Sequence, residues 1–192
     1  MKKSIALLAL LAGSAASAET FTGQITDPGL RRKTQLVYIE SVPGKFAPPE
    51  KPAMMNQKGN TYLPHLLTVV AGTKVTFKSG DPELHNVYAR ASKVTLFNVA
   101  VLPSQQFERT FDTVGIVHLA CNVHREMSAD IAVLQNPFFA TPDKSGKVTI
   151  DGVPAGSYSL RVWGEEMSDA QKAKKIPITV GGVQAPLIIA SN

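Results

Sequence analysis

Along most of this chain apolar and polar residues alternate with a period of two, the pattern of half-buried strands. In KVTFK (Lys74 to Lys78), Val75 and Phe77 fall on one face, and Lys74, Thr76 and Lys78 on the other. LLTVV precedes it across a turn at Ala71-Gly72-Thr73, which predicts a hairpin over residues 66–78. QFERTF (106–111) and GIVHLAC (115–121) are predicted strands around an Asp112-Thr113-Val114 turn. ADIAVLQ (129–135) is apolar enough to be a central strand.

From Asn136 the texture changes. Turns are predicted at Asp143–Gly146 and at Val153–Gly156, and KVTI and SYSLRVW lie between and after them. Tyr158, Leu160 and Val162 share one face, which predicts a compact hairpin with its own core side. Residues 165–175 alone have a helix-permitting composition, and they read as a solvated loop or a short helix. Many short strands separated by Gly, Pro and Asp turns make the fold class all-β, a β-sandwich.

The first residues, MKKSIALLALLAGSAASA, have the layout of a secretory signal: Lys2 and Lys3, a short apolar run from Ile5 to Leu11, and a small-residue cleavage site ending at Ala18. The apolar run is shorter than the roughly 18 residues that a membrane span requires. The expectation is an exported chain, cleaved after Ala18 and without a transmembrane segment. Losing Lys2 and Lys3 lowers the formal charge from +5 to +3. That mild basic excess favours an acidic partner protein or a membrane surface. It is too diffuse, with no basic stripe interleaved with aromatics, for nucleic acid.

Export gives the single cysteine its interest, because Cys121 has no second cysteine to pair with in an oxidising compartment. A lone exported Cys reads as an intermolecular bridge, a reactive thiol, a metal ligand or an inert buried side chain. It opens CNVHREM, residues 121–127, with His124 three residues on and Met127 six on. Strand parity in GIVHLAC puts Cys121 on the apolar face with Val117 and Leu119, and His118 on the opposite face. The turn that follows can bring Cys121, His124 and Met127 to one point. One further imidazole would complete a His2Cys set with a weak Met, the donor set of electron-transfer copper. His85, in GDPELHNVYA, is the favoured second His, and His65, in YLPHLLTVV, is its competitor.

HNV at 85–87 together with CNVHREM resembles the cupredoxins, the small blue copper proteins, over roughly residues 55–136. The C-x-x-H-x-x-M spacing is similar to that of amicyanin. The wording MNQKGNTYLPH…GDPELHNVYA…CNVHREMSADIAV resembles plastocyanin-like exported bacterial proteins of the methylamine-utilisation type. The resemblance implies a Greek-key cupredoxin sandwich over 51–136 that binds one type 1 copper. His85, Cys121 and His124 would be the strong ligands and Met127 the weak axial one, and His124 would be the ligand nearest solvent. It implies a periplasmic carrier of single electrons between redox partner proteins, not an enzyme. It also implies that Asn86, next to His85, would help tie the two ligand loops together. The chain departs from the amicyanin pattern by surrounding His124 with Asn122, Val123, Arg125 and Glu126 in place of prolines. Glu83 and Glu126 are near enough in sequence to supply oxygen donors.

Residues 19–50 and 137–192 resemble the two halves of a carboxypeptidase-regulatory-like β-sandwich into which the copper module is inserted. The equal alternative is that strand 35–40 belongs to the cupredoxin sheet. Three other functions stand beside the carrier. A copper chaperone or resistance protein would use Met54, Met55 and His65 as an auxiliary soft site, although the Met pair reads more readily as strand packing. A thiol enzyme would need a His oriented by a third group, which the sequence does not offer. A metal-free adhesion sandwich would bury the Cys.

Overall fold

A computed structural model describes residues 18–181 and 187–189. All of the signal-like segment except Ala18 lies outside the described residues. The chain runs β1 (Ala18–Ile25), α1 (Pro28–Lys33), β2 (Leu36–Ile39), β3 (Ala53–Gln57), β4 (Tyr62–Leu63) and β5 (Leu66–Val70). It continues through β6 (Thr73–Ser79), β7 (His85–Ala91), β8 (Val94–Val101), β9 (Gln106–Phe111), β10 (Gly115–Ala120) and β11 (Ser128–Leu134). It closes with β12 (Phe139–Ala140), β13 (Lys147–Pro154), β14 (Gly156–Trp163), α2 (Asp169–Ala173), β15 (Ile176–Val180) and β16 (Leu187–Ile189). Among the described residues no helix is long and apolar enough to cross a membrane.

The strands form two sandwiches, each with its own apolar core. In the first, the sheet β5-β11-β10-β7-β8 faces the sheet β4-β3-β6-β9. Between them lie Met55, Val75, Phe77, Val87, Leu119 and Ile131. Phe77 is fully buried, stacked 5.0 Å from Phe107 and edge-on to Phe97 at 6.0 Å. In the second sandwich, β13-β1-β16 and β12-β2-β14-β15 enclose Ile25, Val37, Ile39, Val148, Leu160 and Ile178. Strand β2 thus pairs with β14 and β12, and strand 35–40 takes no part in the sheets of the first sandwich.

Both predicted hairpins are corrected. β5 pairs in parallel with β11, whereas β6 pairs with β3 and β9, so the turn at 71–73 is a corner between two sheets. KVTI, within β13, pairs with β1, and SYSLRVW, within β14, pairs with β15 and β2. The reason is the same in each case. Alternation reports which face of a strand is buried and leaves the partner open. Crossing the corner lets Val69 of β5 meet Val75 and Phe77 of β6 across the core, where a flat hairpin would set them side by side. The central strand predicted at 129–135 is β11, between β5 and β10. The predicted helix-permitting stretch holds α2, started by a Ser168–Gln171 capping box.

A seam of Leu36, Ala132 and Trp163, flanked by Tyr38, Leu66, Ile116 and Phe139, joins the sandwiches. Polar ties line the same junction. Gln135 exchanges two 3.1 Å hydrogen bonds with the Val42 backbone, and Asn136 donates to Ile39 O at 2.9 Å. The first sandwich thus packs against the second through this seam, and it carries the site at the end of β10.

Candidate metal centre

Three donor atoms converge there. One nitrogen each of His85 and His124 and the sulfur of Cys121 lie within 4.8 Å of one another. The two Nδ1 atoms are 3.1 Å apart, and Cys121 Sγ is 4.0 Å from His124 Nδ1. The backbone explains the convergence. β7 is antiparallel to both β8 and β10, which sets His85 at one end of β7, opposite Val101, beside the end of β10 that leads into Cys121. Strand parity turns His85 inward with Val87 and Ala89, and Cys121 inward with Val117 and Leu119. The connecting loop folds back on itself: Met127 N donates to His124 O at 3.1 Å, and Cys121 N donates to Met127 O at 3.2 Å.

Burial is graded across the set. His85 is fully buried, Cys121 is 3% exposed and Met127 1% exposed, while the His124 side chain keeps 18% of its surface in solvent. Met127 packs in the same core cluster as Cys121. The competitor His65 stands elsewhere, its Nε2 2.8 Å from Glu165 Oε2. His118, on the outer face of β10, pairs with the buried Asp130. Burial raises the Asp130 pKa, and the His118 ring partly offsets that.

The loop before β7 adds two groups that were not anticipated in these roles. Asp81 Oδ2 accepts from His85 Nε2 at 3.0 Å, and Glu83 Oε2 lies 3.2 Å from His124 Nε2. Asp81 is fixed in turn by the amides of Gly59 at 2.8 Å and Asn60 at 3.3 Å. The Gly59 amide above all, with those of Asn60 and the His85 ring, holds the Asp81 carboxyl below its usual range against the opposing effect of burial. A carboxylate only accepts, so His85 Nε2 is the donor to Asp81, and the ring turns its other nitrogen, Nδ1, toward His124. The two Nδ1 atoms, 3.1 Å apart with the Cys121 sulfur nearby, are three donors that one cation can meet at once. Ligands about 2.0–2.1 Å from one metal ion have just such a separation. The residues therefore fit a metal.

Asn86 and Tyr62 lock the scaffold. Asn86 Oδ1 accepts from the Asn122 amide at 2.6 Å and faces Cys121 Sγ at 3.3 Å, while its Nδ2 donates to Asn98 at 2.7 Å. Asn86 thus joins the two ligand-bearing segments. Tyr62, fully buried on β4, places its hydroxyl 2.8 Å from Asn86 O and 3.0 Å from Ala120 O, the carbonyls next to the two ligand strands' ends. Burial, with the nearby Cys121, pushes its phenol pKa up. Tyr62→Phe removes the donor and leaves buried carbonyl acceptors with less than their share. A loss of about 1–3 kcal/mol is expected in urea unfolding of the metal-free chain.

Comparison with known proteins gives no match among curated sequences. A family profile described as polysaccharide lyase family 4, domain II, matches residues 114–185. Among solved structures, a purple cupredoxin from Nitrosopumilus maritimus is 22% identical, with 42% of this chain and 98% of that chain covered and a TM-score of 0.39. Amicyanin from Paracoccus versutus is 20% identical, covering 50% and 96%, with a TM-score of 0.40. A copper-containing nitrite reductase from Thermus scotoductus SA-01 is 21% identical over 56% of this chain and 26% of its own, with a TM-score of 0.41. The described strands themselves make an all-β arrangement of two sandwiches.

Proposed function

We propose that this chain is an exported copper protein that carries single electrons between redox partners. The observation that supports the reading most is the meeting of His85 Nδ1, His124 Nδ1 and Cys121 Sγ at one end of a rigid sandwich. His2Cys with a buried methionine nearby is a donor set for type 1 copper. His85, Cys121 and His124 would hold one copper, and Met127 would supply the weak fourth donor. Bound copper would supply the chemistry, a one-electron exchange between copper(I) and copper(II).

The chain's own part is to hold one arrangement in both states. The tied loop, the Asn86 bridge and the buried His85 oppose rearrangement, and the apolar core keeps water from the sulfur. The partly exposed His124 gives electrons a short way out. Leu84 and Val123, the residues preceding the two histidines, are 44% and 52% exposed and would meet a partner there. A carrier converts no substrate, so the reading is not of an enzyme. A periplasmic location and cleavage after Ala18 belong to the same proposal.

A copper chaperone would release its metal readily. Its auxiliary soft site finds little support, because Met55 is fully buried in the core while Met54, its neighbour on the strand, faces outward and His65 is engaged by Glu165. The test is to load residues 19–192 with one equivalent of copper and measure both exchange rates. Electron exchange with a one-electron reagent within milliseconds, and copper retained for hours against a chelator, are expected. Copper lost to the chelator within seconds would overturn the carrier reading in favour of the chaperone.

A further inference from the structure

Resting on that reading, we infer that Asp81 and Glu83 are paired positioning residues that bias the site toward the divalent state of its metal and set a low reduction potential. One short segment, Asp81-Pro82-Glu83-Leu84, delivers a carboxylate to the outer nitrogen of each ligand imidazole: Asp81 to His85 at 3.0 Å and Glu83 to His124 at 3.2 Å. Asp81 accepts from His85 Nε2, which fixes that ring's tautomer, points its Nδ1 inward and makes it a stronger donor, while Glu83 sets its charge beside His124 Nε2. Each also adds a negative charge next to the centre. With the Cys121 thiolate this gives three negative groups around one ion, and a divalent ion gains more from them than a monovalent one.

The two carboxylates differ in setting. Asp81 is clamped by the Gly59 and Asn60 amides, and its side chain is 13% exposed. The Glu83 side chain is 60% exposed. The effect of Asp81 is therefore built into the fold, whereas that of Glu83 is screened by salt and can be cancelled by a cationic group that docks over His124. The segment thus combines a fixed contribution to the potential with one that responds to whatever approaches the exposed imidazole.

The test compares Asp81→Asn, Glu83→Gln and the control Glu126→Gln, which neutralises an exposed carboxylate in the Cys121–Met127 loop, each loaded with copper. The readouts are the potential, by redox titration against a one-electron mediator, and the copper(I) and copper(II) affinities, by competition with chromophoric chelators. Each site variant is expected to lower the ratio of copper(II) to copper(I) affinity by about tenfold, the lower end of what loss of an outer-shell partner does. That corresponds to a rise of about 59 mV for a one-electron couple. The shift from Glu83→Gln should shrink in high salt, and the shift from Asp81→Asn should persist. The Glu126→Gln control should move the ratio by less than either.

If both variants keep a wild-type thiolate-to-copper band and an unchanged affinity ratio, the inference is wrong and the proposed function stands. If wild-type protein gives no such band, the proposed function is wrong and this inference with it. Should Asp81→Asn fail to fold, Glu83→Gln, at an exposed side chain, still decides the question.

Discussion

If the chain binds copper as proposed, Cys121→Ser is expected to remove the intense visible absorption of the copper-loaded protein and leave only weak absorption of the d–d type. The thiolate is the soft, strongly covalent donor of the set, and a serine hydroxyl at the same place is neutral and hard. The substitution is close in size at a side chain that is 3% exposed, so the core should tolerate it and the metal-free variant should unfold at nearly the wild-type denaturant concentration. Two imidazoles with carboxylates behind them remain, so copper(II) still binds, more weakly and without the colour. Absorption and EPR titrations of the two proteins side by side measure this. An equally intense band in the serine variant would place the chromophore elsewhere.

The second large effect is expected at Asn86. Asn86→Ala deletes the acceptor of the Asn122 amide at 2.6 Å and the partner of Asn98, and frees the thiol that faces it at 3.3 Å. A part-buried amide without a partner costs about 1–3 kcal/mol, so a loss near 2 kcal/mol is expected for the metal-free chain. The metal should feel more than that figure suggests. Asn86 joins the β7 end that carries His85 to the loop that carries Cys121 and His124, so its loss lets the ligand groups drift apart. A fall of about 10–100-fold in copper affinity is expected. Asn98→Ala, at the exposed end of the same bridge, should cost less than about 1 kcal/mol, because water replaces the lost partner. Equal losses in the two variants would show that the bridge has no special role.

Much of the site could be read from the chain because the relevant rules are local. Period-two parity sends Cys121 inward and His118 outward, and a seven-residue loop keeps His124 and Met127 within reach of Cys121. His85 stands out from His65 by the Gly-Asp-Pro turn that leads into the strand-like NVYA, and in the structure it lies inward with Val87 and Ala89. Asp81 was harder to see. Its role depends on the turn at Gly59 and Asn60, which is distant in sequence and whose amides aim the carboxylate. Glu83 was legible as an acidic residue near the ligands, but which atom it meets, His124 Nε2, follows from loop geometry alone. Strand partners were the weakest part of the reading. The 66–78 and 147–163 segments contain clear strand signals, with alternation in KVTFK and KVTI, yet cross between sheets, because burial of both inner faces, and not sequence proximity, selects the pairing.

The central claim is that His85, Cys121 and His124 form a single copper centre. The most direct measurement is anomalous diffraction at the copper edge from crystals of the copper-loaded chain. One strong peak bonded to His85 Nδ1, His124 Nδ1 and Cys121 Sγ is the predicted result. Copper bound at His65 or at the chain's amino terminus, with no peak among those three atoms, would contradict it.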